Sequence, residues 1–291
     1  DQKNSVAEEG RVVKPDEVIE NGIICQTQCA HSADGLHWIP YESQPIMGSS
    51  GSLTGDVSCL HYDPEGRQFV MNTRHAMMCN AALPPSTPFV GDWFMPYYPH
   101  RPDLMNKRLV HQCRSHDFLH WTDPVPVSVP DDEIDNLDEA HYGMQEFRVG
   151  RLWLATLGVL RHVDNEMDVR LLFSRDGTNF KAALQGRPFL APRGEGYWDT
   201  HMVSMCSQPL EMGDEWWFYH GGTNSHHDWW IGSNFPEDID EPEVHDPEQN
   251  VRFGLGVARM RKEGIASLDG SKQRDGYVIT RAVMSDGEQL V

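Results

Sequence analysis

Short runs of alternating apolar and polar residues recur along the chain, each broken by Gly, Pro, Asn or Asp, and no stretch keeps a 3.6-residue apolar stripe. Such period-two alternation between turn residues predicts β-strands rather than helices. Three runs share one plan. They begin at Asp56 (DVSCLHYDPEGRQFVM), His141 (HYGMQEFRVGRLWLATL) and Asp199 (DTHMVSMCSQPLEMGDEWWFY). In each, a polar residue opens a short apolar strand, a Gly turn follows, and a second, aromatic-rich strand leads away.

A second repeat marks the hairpins between strands. Ser32-Ala33-Asp34-Gly35-Leu36-His37-Trp38, Ser115-His116-Asp117-Phe118-Leu119-His120-Trp121 and Ser174-Arg175-Asp176-Gly177-Thr178-Asn179-Phe180 match position by position. Ser closes one strand, Asp-Gly supplies a tight turn that tolerates positive φ, and the aromatic opens the next strand. A Pro- and aromatic-rich insertion, Ala81 to Asn106, separates the first two copies.

Each full unit then holds about four strands, as a β-propeller blade does. The expected fold is therefore all-β, one propeller domain of four-stranded antiparallel blades over residues 1–291. Blades are expected at 56–130, 141–190 and 199–270. Residues 20–47 form only the outer half of a first, incomplete blade. Residues 275–291 read as two closing strands or as the start of a further module. The acidic stretches Asp131 to Glu139 and Pro236 to Gln249 have loop composition.

Composition narrows the partners. The 24 Lys and Arg against 44 Asp and Glu leave a formal charge of −20, which repels phosphate backbones and anionic lipid and disfavours nucleic-acid and membrane partners. No apolar run is long enough for a membrane-spanning helix. The six cysteines include one C-x3-C pair and no C-x2-C pair, matching neither a zinc ribbon nor a dense disulfide framework. The chain opens Asp1-Gln2-Lys3, an opening expected after removal of a leader or upstream segment, so the expected location is secreted or periplasmic. Nothing in the pattern addresses oligomeric state.

In a propeller the innermost strands ring the axis, so the polar residues that open them converge at one end. Those residues are Asp56, His141 and Asp199, with Glu139 just before one strand and Glu146 within it. Carboxylates from different blades meeting in one pocket are what glycosidic cleavage needs: one acid protonates the leaving oxygen, and a second carboxylate activates water or attacks the sugar. Taken singly, each acid would equally serve a turn by accepting backbone hydrogen bonds. Around them Arg74, His141, Tyr142, Trp198, His201 and His220 suit sugar binding, rings offering flat apolar faces and Arg or His donating to hydroxyls. Trp216, Trp217 and Phe218 read as blade packing. No metal is expected: His220, His226 and His227 fit no zinc spacing, and a structural calcium ion in an acidic loop would lack an EF-hand pattern. No cofactor is expected either. Walker A and G-x-G-x-x-G patterns are absent, and no G-x-S-x-G elbow supports a serine nucleophile.

The acid-led strands and S-x-D-G-x-x-W hairpins resemble five-bladed β-propeller glycoside hydrolases of the arabinanase and invertase type, and more closely the uncharacterised bacterial glycosyl-hydrolase-like propellers. The matching stretches are RSHDFLHW (114–121), LFSRDGTNF (172–180), GYWDTHMV (196–203), GDEWWFYHGG (213–222) and GLGVARMRKEGIASL (254–268). The resemblance implies five blades and a glycosidase acting on plant or algal polysaccharide. It implies Asp56 as base or nucleophile, Asp199 as modulator or its exchange partner, and Glu139 or Glu146 as general acid. The chain lacks the invertase-type W-M-N-D-P-N and R-D-P motifs, and His141 stands at one acid-equivalent position. A non-catalytic, lectin-like carbohydrate-binding propeller is the alternative. The hairpins also resemble the sialidase S-x-D-x-G-x-T-W box, but Gly here follows Asp directly.

Overall fold

The computed structural model describes residues 29–42, 57–74, 108–227 apart from 132, 137 and 206, and 242–265 apart from 263, with single positions at 272, 273, 275, 277 and 279. Asp56, the insertion and nearly all of 275–291 lie outside these residues. The described chain is all-β, and its only α-helices are single turns at Pro242–His245 and Pro247–Asn250.

A small hairpin pairs β1 (Ala30–His31) with β2 (Ile39–Pro40). An antiparallel four-strand meander follows: β3 (Ser58–Asp63), β4 (Gln68–Arg74), β5 (Val110–Ser115) and β6 (Val125–Ser128). A second meander joins β7 (Glu139–Val149), β8 (Leu152–Arg161) and β9 (Glu166–Ser174), whose far edge carries β10 (Lys181–Ala182) and β11 (Pro188–Leu190). A third unit holds β12 (Met202–Ser204), β13 (Leu210–Met212), β14 (Glu215–Thr223) and β15 (Phe253–Arg261). β12 lies parallel to β9 at Met202–Met167, which fuses the second and third units into one nine-stranded sheet. No sheet closes on itself, and five separate four-stranded sheets are not found among the described residues.

The middle unit is the core because it is covered on both faces. β8 is buried continuously from Trp153 to Leu160, as a two-face-buried strand reads. Ala155, Leu157 and Val159 pack with Met144 of β7 against Val110 and Val127 of the first meander. Phe147 of β7 and Leu154 of β8 pack against Val203, Trp216 and Phe218 of the third unit. Each Val, Leu, Met or Phe among them contributes about 1.5–3 kcal/mol when fully buried.

The three repeated hairpins have one hydrogen-bond plan. Ser32, Ser115 and Ser174 each donate Oγ to the following Asp, and Oγ in turn accepts the amide three residues on. That Asp accepts the next two amides along the turn at 2.8–2.9 Å. Its second oxygen takes His37, His120 or Asn179. All these bonds are local, which is why the motif repeats on separate sheets.

On β3 the usual alternation is inverted. Cys59, His61 and Asp63 face inward, while Leu60 and Tyr62 are exposed. The polar inward face points to a buried polar partner, found on β7.

Candidate active site

The pairing brings one end of many strands together. Glu139 of β7 registers with Arg161 of β8, and Arg161 with Glu166 of β9. Met167 sits beside Met202 of β12, which pairs with Thr223 of β14, itself opposite Phe253 of β15. On the other side, the His141 amide donates to the Arg108 carbonyl and the Arg74 amide to the Val57 carbonyl, each at 3.0 Å. Residues from all three units therefore meet at this end, the start of β7, β9, β12 and β15.

Arg170 is the hub. Its guanidinium donates to Asp135 at 2.7 Å and to Glu139, and its Nε lies 3.6 Å from Asp168. Arg161 bonds Asp168 and reaches Glu166 at 3.1 Å. Glu166 accepts His201 Nδ1 at 3.0 Å, and the His201 ring stacks on His226 with centroids 3.9 Å apart. His226 in turn bonds Glu243. Two carboxylates on this lattice are pushed apart in acidity. Burial drives Asp168 above the ordinary carboxylate range, outweighing Arg161 and Arg170, with the Glu139 charge adding to the rise. Burial also works against the Asp135 anion, but His141 and Arg170 prevail and hold it below the usual value.

His141 has both ring nitrogens engaged: Ser128 Oγ lies 2.8 Å from Nδ1, and Asp135 Oδ2 lies 3.2 Å from Nε2. These three side chains line a cavity of about 340 Å³ together with Arg170 and Lys181.

Tyr142 stands in a register shift between His141 and Gly143, a bulge that re-aims its side chain. The guanidinia of Arg74 and Arg108 both lie over its ring, 4.6 and 4.8 Å from the centroid, and its hydroxyl meets His227 Nε2 at 2.9 Å. Cations over an aromatic ring fix its orientation. Nearby, Arg193 Nε donates to both Asp199 oxygens at 2.7 and 3.0 Å. Trp198 stacks on His220 with an interplanar angle of 15°. It also lies flat on β15, where a Cβ at Gly254 would fall 2.5 Å from its ring.

Glu146 lies elsewhere. It is seven residues along β7 from Glu139, roughly 20 Å of strand, and is fully buried against the first meander. Gln112 Nε2 donates to its Oε2 at 3.0 Å, and His61 Nε2 lies 3.3 Å from its Oε1. Burial pushes the Glu146 carboxyl up to about 7 and pushes His61 down to about 4. His61 also lines a second cavity, of about 250 Å³, whose walls include Trp153, Trp216 and Asp63.

Of the residues expected from sequence, Glu139, His141, Tyr142, Arg74 and His201 lie at the shared strand end, with Asp199 and Trp198 just before β12 and His220 beneath Trp198. Glu146 does not join them, and Asp56 lies outside the described residues. Sequence reasoning missed Asp135, Asp168, Arg170, Arg161 and Ser128, because their partners are strands away. The visible signal for Asp168 and Arg170 is charge at alternate positions of β9, continuing from Glu166. Among the described residues no group of three or more His, Cys, Asp or Glu is placed to hold a metal ion.

Neither a family model nor a curated protein matches the sequence. Solved structures are similar at low identity. One is an N-acetylgalactosamine deacetylase from F. plautii in complex with blood group B trisaccharide, at 12% identity and TM-score 0.45 over 81% of this chain and 61% of that one. Another is a glycoside hydrolase, at 11% identity and TM-score 0.48 over 85% and 60%. A third is a glycosyl hydrolase from Bacteroides ovatus, at 13% identity and TM-score 0.46 over 69% and 52%. The chain spans about three fifths of the length of the first of these.

Proposed function

We propose that this protein is a carbohydrate-processing enzyme that cleaves a glycosidic bond at the shared strand end of a five-bladed propeller. Its sheets would then be blades, and its location secreted or periplasmic. One observation carries the reading. Asp168 and Glu139 share Arg170, and the charge of Glu139 helps push Asp168 toward its protonated form. A carboxyl group shifted toward its acid form beside a second carboxylate is what acid/base cleavage of an acetal uses. Asp168 is then the acid that protonates the leaving oxygen, and Glu139 the carboxylate that activates water. The Tyr142 and Arg74 cluster, and His201 on Glu166, contact the sugar.

A second reading, sugar binding without turnover, is favoured by a specific feature: Asp135, Glu139, Asp168 and Asp199 each already have an arginine partner. A screen of chromogenic glycosides and plant or algal polysaccharides decides between the two, with Asp168→Asn and Glu139→Gln run beside the wild type. Turnover that falls at least a thousandfold in either variant, with sugar affinity retained by calorimetry, supports the enzyme. Measurable binding with no turnover on any glycan leaves the lectin-like reading standing.

A further inference from the structure

The Ser128, His141 and Asp135 side chains form a linear relay that the glycosidic chemistry does not use. They come from the end of β6, the start of β7 and the loop between those strands, and all three side chains are buried. With His141 protonated on Nε2, that N–H donates to Asp135, and Nδ1 is left to accept the Ser128 hydroxyl at 2.8 Å. Asp135 is fixed from behind by Arg170 at 2.7 Å. A hydroxyl on an imidazole, and that imidazole on an anchored carboxylate, is the arrangement that activates serine, and it is recognised by roles rather than by chain order or an elbow motif.

The relay opens on the 340 Å³ cavity. Its lining includes the apolar side chains of Leu157, Leu172, Phe173 and Phe180 and the cationic Lys181 and Arg170. Apolar lining in a cavity that holds a hydroxyl suits a short acyl chain, and a cationic group there suits the oxygen that becomes negative when its carbonyl is attacked. Asp168 and Glu139 do not line this cavity, so the two chemistries use different carboxylates around Arg170.

We propose that Ser128 is the nucleophile of a short-chain carboxylic ester hydrolase. Ser128 Oγ adds to the ester carbonyl carbon as its proton passes to His141. The bond from that carbon to the alcohol oxygen breaks, and His141 returns the proton to the leaving alcohol. Water then attacks the acyl-serine, His141 takes a proton from it and delivers it to Ser128 Oγ, and the carboxylic acid departs. Asp135 acts through His141 and is a positioning residue.

The test uses the full chain. A fluorophosphonate probe, followed by peptide mass spectrometry, is expected to place its adduct on Ser128 of the folded wild type. p-Nitrophenyl acetate and butyrate are expected to be hydrolysed with kcat/KM at least a hundredfold lower in Ser128→Ala. Because free lysine and histidine side chains also cleave activated esters, the adduct site is decisive and does not depend on a variant folding. No adduct on Ser128, or ester turnover unchanged in a folded Ser128→Ala, overturns the proposal. Glycoside cleavage in Ser128→Ala is expected to match the wild type, so failure of the glycosidase reading and failure of this one give different results.

Discussion

The same pair of side chains, a carboxylate beside an imidazole, stands in two environments in this molecule and behaves oppositely in each. In the exposed hairpins His37 lies 2.7 Å from Asp34, and His120 lies 2.6 Å from Asp117. Hydrogen bonds from those histidines and from the turn amides hold both carboxyls well below the ordinary range. Between the sheets His61 and Glu146 are 3.3 Å apart, yet burial drives the acid up and the base down. Water and nearby amides solvate the charges in the first case. In the second neither is available in sufficient number, and both charged forms are disfavoured. Proximity alone therefore does not make an ion pair here, and burial decides the sign.

The largest expected effect breaks this contrast where buried charge is densest. Arg170→Met removes the cation shared by Asp135 and Glu139, both nearly excluded from water. Uncompensated buried carboxylates cost about 3–5 kcal/mol. Urea unfolding of Arg170→Met should lose stability in that range, whereas His120→Ala, in the exposed pair, should stay near wild type. Equal effects would mean that burial does not separate the two regions.

A pH series sharpens the comparison next. Glu146, raised to about 7 in the fold, binds a proton that the unfolded chain has released above its ordinary 4.5, so its contribution to stability falls as pH rises from 4.5 to 7. His61, lowered to about 4 from 6.5, does the reverse, and its contribution rises from pH 4 to 6.5. The two slopes oppose each other over most of that interval, and the wild-type pair should contribute little net pH dependence between 4.5 and 6.5. Glu146→Gln keeps an acceptor for Gln112 and removes one slope. Its stability should climb with pH by an amount on the order of 3 kcal/mol across that window, and His61→Gln should show the opposite trend. Parallel curves for wild type and both variants would show that the pair is not coupled to folding.

The contrast also explains what the sequence made legible. The Ser and Asp side chains of the three hairpins bond only within a few residues, so their pattern is complete in the local string. The polar residues at the start of β7 and just before β12 were visible for the same reason, and they led to Glu139, His141, Tyr142, Asp199 and His201. Arg170 was not visible, because its meaning depends on Asp135 and Glu139, which reach it only through the β7–β9 register. Glu146 stood out as an acid in an apolar strand, but its distance from the shared end follows from β7 running unbroken past Gly143. His61 was hidden by inversion: an apolar-in reading of β3 buries Leu60 and Tyr62, the residues that the fold exposes.

The smallest expected effect lies where the two regions meet, at Gly177. Its φ is +72°, and its carbonyl accepts Gln112 and Arg114, each at 3.2 Å, so the hairpin is tied to the same Gln112 that bonds Glu146. Gly35, its counterpart in the first hairpin, has φ +75° and open space around it. A methyl at Gly35 carries only the left-handed backbone cost, about 1–2 kcal/mol. At Gly177 the methyl would also fall 2.9 Å from Trp153 Nε1, and either the indole or the turn must shift, carrying Gln112 with it. Gly177→Ala should therefore unfold at lower urea than Gly35→Ala. It should also shift the titration of Glu146, followed by carboxyl NMR, while Gly35→Ala leaves it in place. If both variants lose the same stability and neither moves Glu146, the third hairpin is as self-contained as the first, and the buried network ends at Gln112.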